Sequence, residues 1–520
     1  MKREQLIQQL GKNQTWDIIV IGGGATGLGI ALDATLRGFK TLLLEQHDFT
    51  KGTSSKSTKL VHGGVRYLAQ GDVGLVIEAL RERGLMLRNA PHLVKDQTFI
   101  IPNYAWWRGP FYTIGLTMYD ILAGRLSFGR SYYIGRKKVI NRIPTIRQNG
   151  LHSGVVYHDG QFDDSRLAVH LVRSIWENGG TAVNYAGAKS LIKENGEITG
   201  VLAEDAQSGK EYKLAAKVVV NAAGVFVNDV IKMDNPNAPN LIRPSQGVHI
   251  VVDKEFLPGG DALMIPKTDD GRVLFAVPWH NKIVIGTTDT PVNTPTLEPR
   301  ALADEVDFIL RTADRYLEKP VRREDVRSIF AGLRPLAAPR SAGDKKTREI
   351  SRNHKIIVSD AGLITITGGK WTTYRKMAQD VVDKAAALGK VEKRSCTTEN
   401  FKIHGWKENV DRSNPRYVYG SDLPELEKLC AERPEWNEPL HPQLPYLKGE
   451  VVWAVRNEAA QTVEDVLARR LRAVLLDARA AMEAAPFVAD VLAAELQKDD
   501  AWKQRQITEF TEQAKGYVLD

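Results

Sequence analysis

The sequence predicts an α/β fold that begins with a Rossmann-like βαβ unit, contains an antiparallel sheet and ends in a helical region. Three observations lead to this prediction. An apolar strand runs into the turn Gly22-x-Gly24-x-x-Gly27, and a helical stretch and a second apolar strand follow. Short strands separated by turn residues occupy about 241–289, and apolar residues recur at helical spacing over 449–517.

The glycine turn is typical of dinucleotide binding. Gly22 permits the tight turn, Gly24 lets the backbone approach a pyrophosphate, and Gly27 lets the helix pack on the strand. The N-terminus of the helix, which includes Thr26, then faces the phosphates, and Glu45 at the end of the second strand is placed to bind a ribose hydroxyl. An ordinary glycine-rich βα turn is the alternative. The order of strand, helix, second strand and acidic residue favours dinucleotide binding.

A polar segment replaces the second βα unit that an NAD-type fold would have after Glu45. It reads Thr53-Ser-Ser-Lys-Ser-Thr-Lys-Leu-Val-His-Gly-Gly-Val-Arg-Tyr67. Its hydroxyls and amides are suited to a cofactor that stays bound.

Further motifs occur along the chain, and together with the two N-terminal segments they resemble a known family. They are Phe162-Asp-Asp-Ser-Arg-Leu167, Val220-Asn-Ala-Ala-Gly224, Gly247-Val-His-Ile-Val-Val252, Ile285-Gly-Thr-Thr-Asp289, Ala331-Gly-Leu-Arg-Pro-Leu336 and Gly368-Gly-Lys-Trp-Thr-Thr-Tyr-Arg375. The combination resembles the FAD-dependent glycerol-3-phosphate dehydrogenases, within the D-amino-acid-oxidase-like flavoprotein group. The resemblance covers about residues 15–385 well and the remainder loosely.

The resemblance implies a discontinuous FAD-binding domain interleaved with a substrate domain that contains the antiparallel sheet. We expect the FAD-binding domain to comprise 15–95, 150–235 and 325–388. The substrate domain then comprises 96–149 and 236–324, and a C-terminal helical domain comprises 389–520. Apolar spacing predicts helices at 75–89, 165–177, 298–317 and 374–388.

The cofactor implied by the resemblance is FAD, bound non-covalently, since no attachment context for a histidine or cysteine is visible. The predicted contacts are Gly22, Gly24, Thr26, Gly27, Glu45, Thr53, Ser54, Ser55, Ser57, Lys59, His62, Gly63, Gly64, Ala223, Gly224, Gly369, Lys370, Trp371 and Thr372. Lys370 and the amides at the start of the following helix would stabilise negative charge on the reduced flavin.

The implied reaction is oxidation of sn-glycerol 3-phosphate to dihydroxyacetone phosphate, with a hydride passing to the flavin and a proton to a base. It requires cations for a dianionic phosphate, and the candidates are Arg334, Arg352 and Arg66, with Tyr67 beside the last. These four residues and Lys370 are the predicted substrate contacts. A surface arginine is the alternative for each, and Tyr67 could equally pack under the flavin.

Two histidines compete as the base. His249 lies in a strand with the alternation of a half-buried face, and His62 precedes two glycines and more plausibly meets the flavin edge. The sequence leaves this choice open. Asp163 and Asp164 are paired, but their position at a helix start favours a structural role, and Asp289 resembles turn chemistry.

Composition restricts the setting. The chain has 520 residues and a net charge of +8, and its two cysteines, Cys396 and Cys430, predict neither a metal site nor a disulfide framework. The N-terminal residues have no targeting pattern, no apolar run is long enough to span a bilayer, and no nucleic-acid motif is present. We therefore expect a cytoplasmic protein, and the oligomeric state, including a homodimer, stays open.

An aromatic and basic segment at 104–142 suggests contact with the inner face of the cell membrane. It contains Trp106-Trp107, Phe111-Tyr112 and Tyr132-Tyr133 together with Arg108, Arg125, Arg130, Arg136, Lys137, Lys138 and Arg142. Buried packing with a solvated basic rim is the alternative. Contact with an anionic membrane surface suits electron transfer to a quinone, as the resemblance implies. Oxidation with O2 as acceptor, a related amine oxidase and a flavin-binding protein without turnover are the other hypotheses.

Overall fold

Two sheets and a group of C-terminal helices make up the part of the chain that the structure describes. The structure is a computed structural model, and it describes residues 3–64, 72–266, 268–269, 271–337 and 354–519. The α/β class, the antiparallel strands and the helical C-terminal region are as predicted.

Helices lie in all three parts. They are α1 (Arg3–Leu10), α2 (Ala25–Leu36), α3 (Val73–Asn89), α4 (Arg108–Ala123), α5 (Arg136–Arg142), α6 (Asp164–Glu177), α7 (Val227–Asp234), α8 (Ala303–Asp314), α9 (Tyr374–Ala387), α10 (Leu423–Ala431), α11 (Lys448–Glu458), α12 (Ala473–Leu476), α13 (Ala478–Leu496) and α14 (Asp500–Lys515), with a π-helical segment at Asp465–Arg470.

The strands are β1 (Thr15–Ile21), β2 (Thr41–Leu44), β3 (Leu60–Val61), β4 (Val94–Asn103), β5 (Tyr132–Gly135), β6 (Ser153–Phe162), β7 (Thr181–Val183), β8 (Ala186–Glu194), β9 (Glu197–Asp205), β10 (Glu211–Asn221), β11 (Ile242–Asp253), β12 (Ala262–Ile265), β13 (Leu274–Trp279), β14 (Lys282–Gly286), β15 (Thr290–Pro291), β16 (Val326–Ala337), β17 (Lys355–Val358) and β18 (Ile364–Thr367).

The first sheet is parallel at its centre and has the order β17-β18-β10-β1-β2-β7, with β9 and β8 continuing from β10. β1 lies between β10 and β2, parallel to both, and α2 connects β1 to β2. The apolar runs of β1 and β2 are buried, because α2 covers them and packs in turn against α9 and α6. The predicted βαβ unit is therefore present.

The second sheet is mainly antiparallel and has the order β15-β11-β14-β13-β12-β4-β6-β3, with β16 beside β11 and β5 beside β6. β11 is central, since β16 pairs with it along its length and β14 pairs on its other side. This register places His249 opposite Phe330, and Ser245 opposite Arg334.

The predicted boundaries differ from the structure in two ways. The helix expected at 298–317 is shorter, because Glu305 accepts a hydrogen bond from the amide of Leu302 and α8 begins directly after that residue. β6 and β16 pair within the second sheet, although the boundaries at 150 and 325 assign them to the FAD-binding part. The domain division stays a proposal, and by sheet membership these two strands belong with the substrate domain.

The C-terminal helices have their own apolar core and pack onto the second sheet. Residues of α11, α13 and α14 form this core with Val251, Trp279 and Phe330 of the sheet. Buried ion pairs join the π-helical segment to the first sheet, because Arg470 donates to Asp48 at 2.6 Å and both side chains are buried. The helical region is thus held against both sheets.

Candidate active site

One cavity of about 710 Å³ is lined by residues from both sheets. The first sheet and its loops contribute the glycine turn, Glu45, Ala223 and Gly224. The second sheet contributes His249 and Arg334 from its paired strands β11 and β16. A volume of this size is typical of a cofactor or small-ligand site.

The glycine turn has the geometry of a pyrophosphate cradle. Gly22 has a φ of +111°, and a Cβ there would lie 2.7 Å from the carbonyl oxygen of Ala222. Gly24 is the N-cap of α2, has no side chain to cap the helix, and lines the cavity with Ala25 and Thr26. The amides at the start of α2 therefore border the cavity, where an anionic group would be stabilised.

Gly27 supports the turn from behind. It does not line the cavity, and a Cβ at this position would lie 1.9 Å from the carbonyl oxygen of Gly22. A direct contact between Gly27 and the cofactor stays a prediction. Its role is the close packing of helix on turn.

Glu45 lies at the cavity wall with a fixed carboxylate. One of its oxygens accepts a hydrogen bond from the amide of Gly23 at 2.7 Å and the other from the amide of His47 at 2.8 Å. Burial raises the pKa of Glu45 above its usual value. A carboxylate has about four acceptor positions, so these two bonds leave capacity for the hydroxyls of a ribose.

Only part of the polar segment after Glu45 faces the cavity. The residues of this segment that line the cavity are Thr53, Ser54, Lys56, Ser57, Thr58, Leu60, His62 and Gly64, whereas Ser55, Lys59 and Gly63 do not line it. Ser54 links the segment to the glycine turn, because its Oγ accepts a hydrogen bond from the amide of Ala25 at 2.9 Å.

Lys59 was predicted to contact the cofactor, but the structure does not bring its side chain to the cavity. Its side chain is fully buried, and its Nζ donates at 2.8 Å to both carboxylate oxygens of Asp164 and at 2.6 Å to the carbonyl oxygen of Ser55. Lys59 thus holds the segment onto α6 instead of contacting a ligand. Asp164 and Asp163 have structural positions, since Asp163 caps α6 by accepting from the amide of Arg166.

The Gly368–Thr373 loop borders the same cavity. Gly368 and Gly369 have φ angles of 79° and 75°, a turn that favours glycine, and Lys370 precedes the short 3-10 turn Trp371–Thr373 that leads into α9. Gly369, Lys370, Trp371 and Thr372 all line the cavity. Trp371 Nε1 donates to the carbonyl oxygen of Ser54 at 2.9 Å, which joins this loop to the polar segment.

His249 is buried at the cavity wall. Its ring is stacked on Phe330 at 4.9 Å between centroids, and its Nε2 lies 2.9 Å from Thr58 Oγ1. Burial, followed by the charges of Arg334 and Lys59, holds the pKa of His249 well below its usual value. Among the described residues, Nδ1 has no hydrogen-bond partner. His249 is therefore neutral at pH 7 and able to accept a proton.

Arg334 reaches the cavity from β16. Its Nη2 donates to Thr287 Oγ1 at 3.0 Å, its Nη1 donates to the carbonyl oxygen of Gln246 at 3.3 Å, and its side chain is 23% exposed. Gly247 provides the room for it, because a Cβ there would lie 2.3 Å from Nη2. Asp289, which the sequence suggested to be a turn residue, lies beside this guanidinium, with its Oδ1 3.6 Å from Nη1.

A group of buried lysines and half-buried glutamates, which the sequence analysis missed, borders the cavity, and we call it the lysine–glutamate cluster. Lys56 donates to Glu298 at 2.8 Å, and Lys51 pairs with Glu298 at 3.0 Å and with Glu464. Both lysines line the cavity, and burial lowers the pKa of Lys56. The sequence offers no signal for it, because the acids are hundreds of residues away along the chain.

Three predicted site residues cannot be placed. Arg66, Tyr67 and Arg352 lie outside the described residues. The predicted residues that the structure brings to the cavity include His249, His62, Lys370 and Arg334. The two candidate bases, the candidate phosphate cation and the helix-start lysine therefore share one space with the dinucleotide turn.

This fold and cavity define a flavoprotein oxidoreductase, and comparison with known proteins identifies the family. Residues 17–375 match the family model described as FAD dependent oxidoreductase, and residues 364–503 match the C-terminal domain of alpha-glycerophosphate oxidase. The chain belongs to the FAD dependent oxidoreductase family. FAD is its cofactor, and the resemblance seen in the sequence is confirmed.

Individual relatives cover nearly the whole chain. The mitochondrial glycerol-3-phosphate dehydrogenase of Mus musculus is 37% identical, over 99% of this chain and 76% of its own length. The human protein of that name is 36% identical, over 97% and 74%.

Solved structures agree. Glycerol-3-phosphate dehydrogenase from Bacillus halodurans, complexed with FAD, has a TM-score of 0.81 and 29% identity, and the match covers 99% of this chain and 97% of that one. L-alpha-glycerophosphate oxidase from Mycoplasma pneumoniae, at 13% identity and a TM-score of 0.58, shares the fold over 75% and 98%.

Proposed function

We propose that the protein oxidises sn-glycerol 3-phosphate to dihydroxyacetone phosphate with FAD as the hydride acceptor. One observation carries the proposal: a neutral buried histidine and an arginine fork line the cavity that contains the dinucleotide turn. The relatives named glycerol-3-phosphate dehydrogenase support it.

Different residues bind the substrate and accept its proton. Arg334 binds the phosphate, because its planar guanidinium matches two phosphate oxygens and neighbouring contacts hold it in place. FAD, when bound, accepts the hydride from C2 of the substrate. His249 accepts the proton of the C2 hydroxyl, and His62, which lines the same cavity, is the other candidate for that proton.

The charge of the substrate improves His249 as a base. A base whose pKa is far below neutrality is a weak proton acceptor, and Arg334 is one cause of the low pKa. A dianionic phosphate on Arg334 offsets that positive charge and raises the pKa of His249. Phosphate binding and proton transfer are thereby linked.

The Gly368–Thr373 loop and Lys370 hold the negative charge that the cofactor gains. Two glycines with positive φ turn the chain so that Lys370 and the following amides border the cavity. Amides at the start of a helix stabilise an anion, and a lysine beside them adds a full positive charge.

We further propose that the electrons pass to a quinone while the protein is bound peripherally to the inner, anionic face of the cell membrane. Helix α4 and the two residues before it support this with an apolar face, defined by Trp106, Trp107, Phe111, Ile114, Met118 and Ile121, all of which are exposed. Apolar surface of this kind marks a docking site. None of the described helices combines the length and apolar character needed to cross a bilayer.

Charges and neighbouring rings suit a lipid surface. Tyr132 and Tyr133 are exposed, and the cations Arg130, Arg136, Lys137 and Lys138 are exposed as well. Aromatic rings favour the headgroup level of a bilayer, and each basic residue near an anionic surface adds about 1 kcal/mol.

An apolar part of the cavity wall supports the quinone. Its lining residues are Leu60, Phe99, Tyr157, Met264, Val273 and Phe275. Leu116 on the inner side of α4 packs into the same apolar cluster. Helix α4 therefore carries the exposed apolar face on one side and packs against the apolar part of the cavity wall on the other, where an apolar acceptor would be accommodated.

The test is anaerobic titration of the purified protein with glycerol 3-phosphate, followed by reoxidation. We expect the flavin to bleach with glycerol 3-phosphate and not with glycerol at the same concentration, and to recover its colour faster with a soluble quinone analogue than with air. Absence of bleaching would refute the proposed oxidation. Faster recovery in air, with peroxide formed, would favour an oxidase, the second candidate, which the C-terminal match to alpha-glycerophosphate oxidase supports.

A further inference from the structure

The hydroxyl of Tyr119 connects helix α4 to the wall of the cavity. Tyr119 is 1% exposed and lies on the side of α4 opposite the apolar face. Its hydroxyl accepts a hydrogen bond from the amide of Gly63 at 2.9 Å and donates one to Asp159 Oδ2 at 3.1 Å. Burial and the nearby Asp159 raise the pKa of Tyr119 well above its usual value, so the hydroxyl keeps the proton that it donates.

Asp159 fixes the direction of this hydroxyl. It lines the cavity, is 3% exposed and also accepts a hydrogen bond from Arg83 Nη1 at 2.7 Å. The guanidinium of Arg83, a buried residue of α3, lies over the rings of Phe128 and Tyr119, with its centre 4.3 and 5.7 Å from their centroids. Helices α3 and α4 and strand β6 thus converge on one carboxylate.

The segment that Tyr119 holds has little rigidity of its own. Gly63 and Gly64 are consecutive glycines, and a glycine pair restricts the backbone least of all residues. A Cβ at Gly63 would lie 2.5 Å from both Tyr119 Oη and Leu80 Cδ2, so the two side chains pack directly on this backbone. His62 on one side and Gly64 on the other line the cavity.

We infer that Tyr119 is a positioning residue for the reaction proposed above: its hydroxyl holds the main chain of residues 62–64 and so sets the place of His62 at the cavity. The inference rests on the proposed function, in which His62 meets the flavin edge or acts as the base. Without the hydroxyl, the buried amide of Gly63 loses its 2.9 Å acceptor and keeps only the longer contact with Asp159 Oδ1 at 3.4 Å, so the glycine pair is held less tightly.

Tyr119→Phe tests the inference, because it removes the hydroxyl and keeps the ring in its packing. The matched control is Tyr112→Phe on the same helix, because Tyr112 is half-buried and, in the described part of the chain, its hydroxyl has no hydrogen bond with Gly63 or Asp159. We expect Tyr119→Phe to retain FAD and to slow flavin reduction at saturating glycerol 3-phosphate by about 10- to 100-fold, the loss typical of a misplaced group. KM should change by less than about twofold, because Arg334 is untouched.

Visible circular dichroism of the oxidised holoenzyme is the second readout, since it reports the surroundings of the flavin. Tyr119→Phe should change this spectrum and Tyr112→Phe should not. Equal reduction rates and equal spectra for the two variants would overturn the inference. If Tyr119→Phe loses FAD on purification, both variants are measured after reconstitution with excess FAD, and an equal rate and spectrum there would overturn it equally.

The design separates this inference from the proposed function. If glycerol 3-phosphate fails to reduce the unsubstituted protein, the proposed function fails, and the spectra of the oxidised proteins still decide whether Tyr119 positions the segment. If the unsubstituted protein is reduced and both variants match it, only the role of Tyr119 is refuted.

Discussion

Replacing Arg334 with alanine should weaken the use of glycerol 3-phosphate while FAD stays bound. A hydrogen bond to a charged group contributes about 1.5–3 kcal/mol, and a bidentate fork adds a second bond, which the 23% exposure of the side chain weakens by screening. We therefore expect a loss of about 2–4 kcal/mol, or roughly 30- to 900-fold in kcat/KM. The assay is steady-state oxidation with a soluble quinone analogue.

The neighbour of Arg334 sharpens the expectation. Asp289 lies 3.6 Å from the guanidinium, and in Arg334→Ala its carboxylate is left to repel the incoming phosphate. Asp289→Asn on that background should recover about 1 kcal/mol, or about fivefold. Arg334→Lys should recover part of the loss, because an ammonium retains the charge without the fork. Arg243→Ala, an exposed arginine on β11, is the matched control and should change nothing.

Glycerol separates phosphate recognition from chemistry. It has no phosphate, so it should be a poor substrate, and Arg334→Ala should not lower its turnover, because loss of the guanidinium charge raises the pKa of His249. If the substitution depresses glycerol and glycerol 3-phosphate equally, the assignment is refuted. Arg334 then serves the flavin or the hydride step, and the phosphate site must be sought at Arg352 and Arg66.

The remaining predictions concern the base, the membrane, the cofactor and stability. His249→Ala should slow the oxidation of both substrates alike. In the unsubstituted protein, kcat/KM should fall only as pH drops below about 6.5, because the pKa of His249 in the folded protein lies below that of a free histidine. A fall in kcat/KM that begins well above pH 6.5 would contradict this. Changing Arg136, Lys137 and Lys138 together to Gln should weaken binding to anionic vesicles by about 3 kcal/mol, or about 150-fold at low salt. Equal vesicle binding by this variant and the unsubstituted protein in a sedimentation assay would show that these residues do not contact the membrane. Acid precipitation should release all of the yellow FAD into the supernatant, and colour in the pellet would show covalent attachment. Lys59→Met should lower the free energy of unfolding, measured by denaturant titration, by about 3–5 kcal/mol, because the buried carboxylate of Asp164 loses its charged partner. A change below about 1 kcal/mol would show that the Lys59–Asp164 pair does not stabilise the fold in this way.

Much of the fold was predictable because its signals are local. The turn from Gly22 to Gly27 encodes its own conformation, since the glycines are required by contacts within the same βαβ unit. Strand alternation and turn residues likewise located β11 and its neighbours, and helical spacing located α6 and α9 to within a residue or two. His249 and Arg334 were predicted because each lies in a motif that resembles the family, Gly247–Val252 for the histidine and Ala331–Leu336 for the arginine.

The sequence could not predict which residues of the polar segment face the cavity. The segment contains a 3-10 turn, Thr53–Ser55, and a two-residue strand, so no single period relates its side chains. Lys59 was therefore mistaken for a ligand contact. The pairing of Arg334 with Asp289 depends on strand register, which is set between elements distant along the chain.

The lysine–glutamate cluster has a consequence for dividing or recombining this protein. A fragment ending near residue 388 would keep the glycine turn, Glu45 and the Gly368–Thr373 loop, yet it would lack Glu464, one of the two acids that balance Lys51. It would also lack Arg470, which balances the buried Asp48. The cut would also uncover Val251, Trp279 and Phe330, which pack against the C-terminal helices, so we do not expect the cofactor-binding part to fold as an autonomous module. A chimera that exchanges the C-terminal helices must carry the matching counter-charges with them.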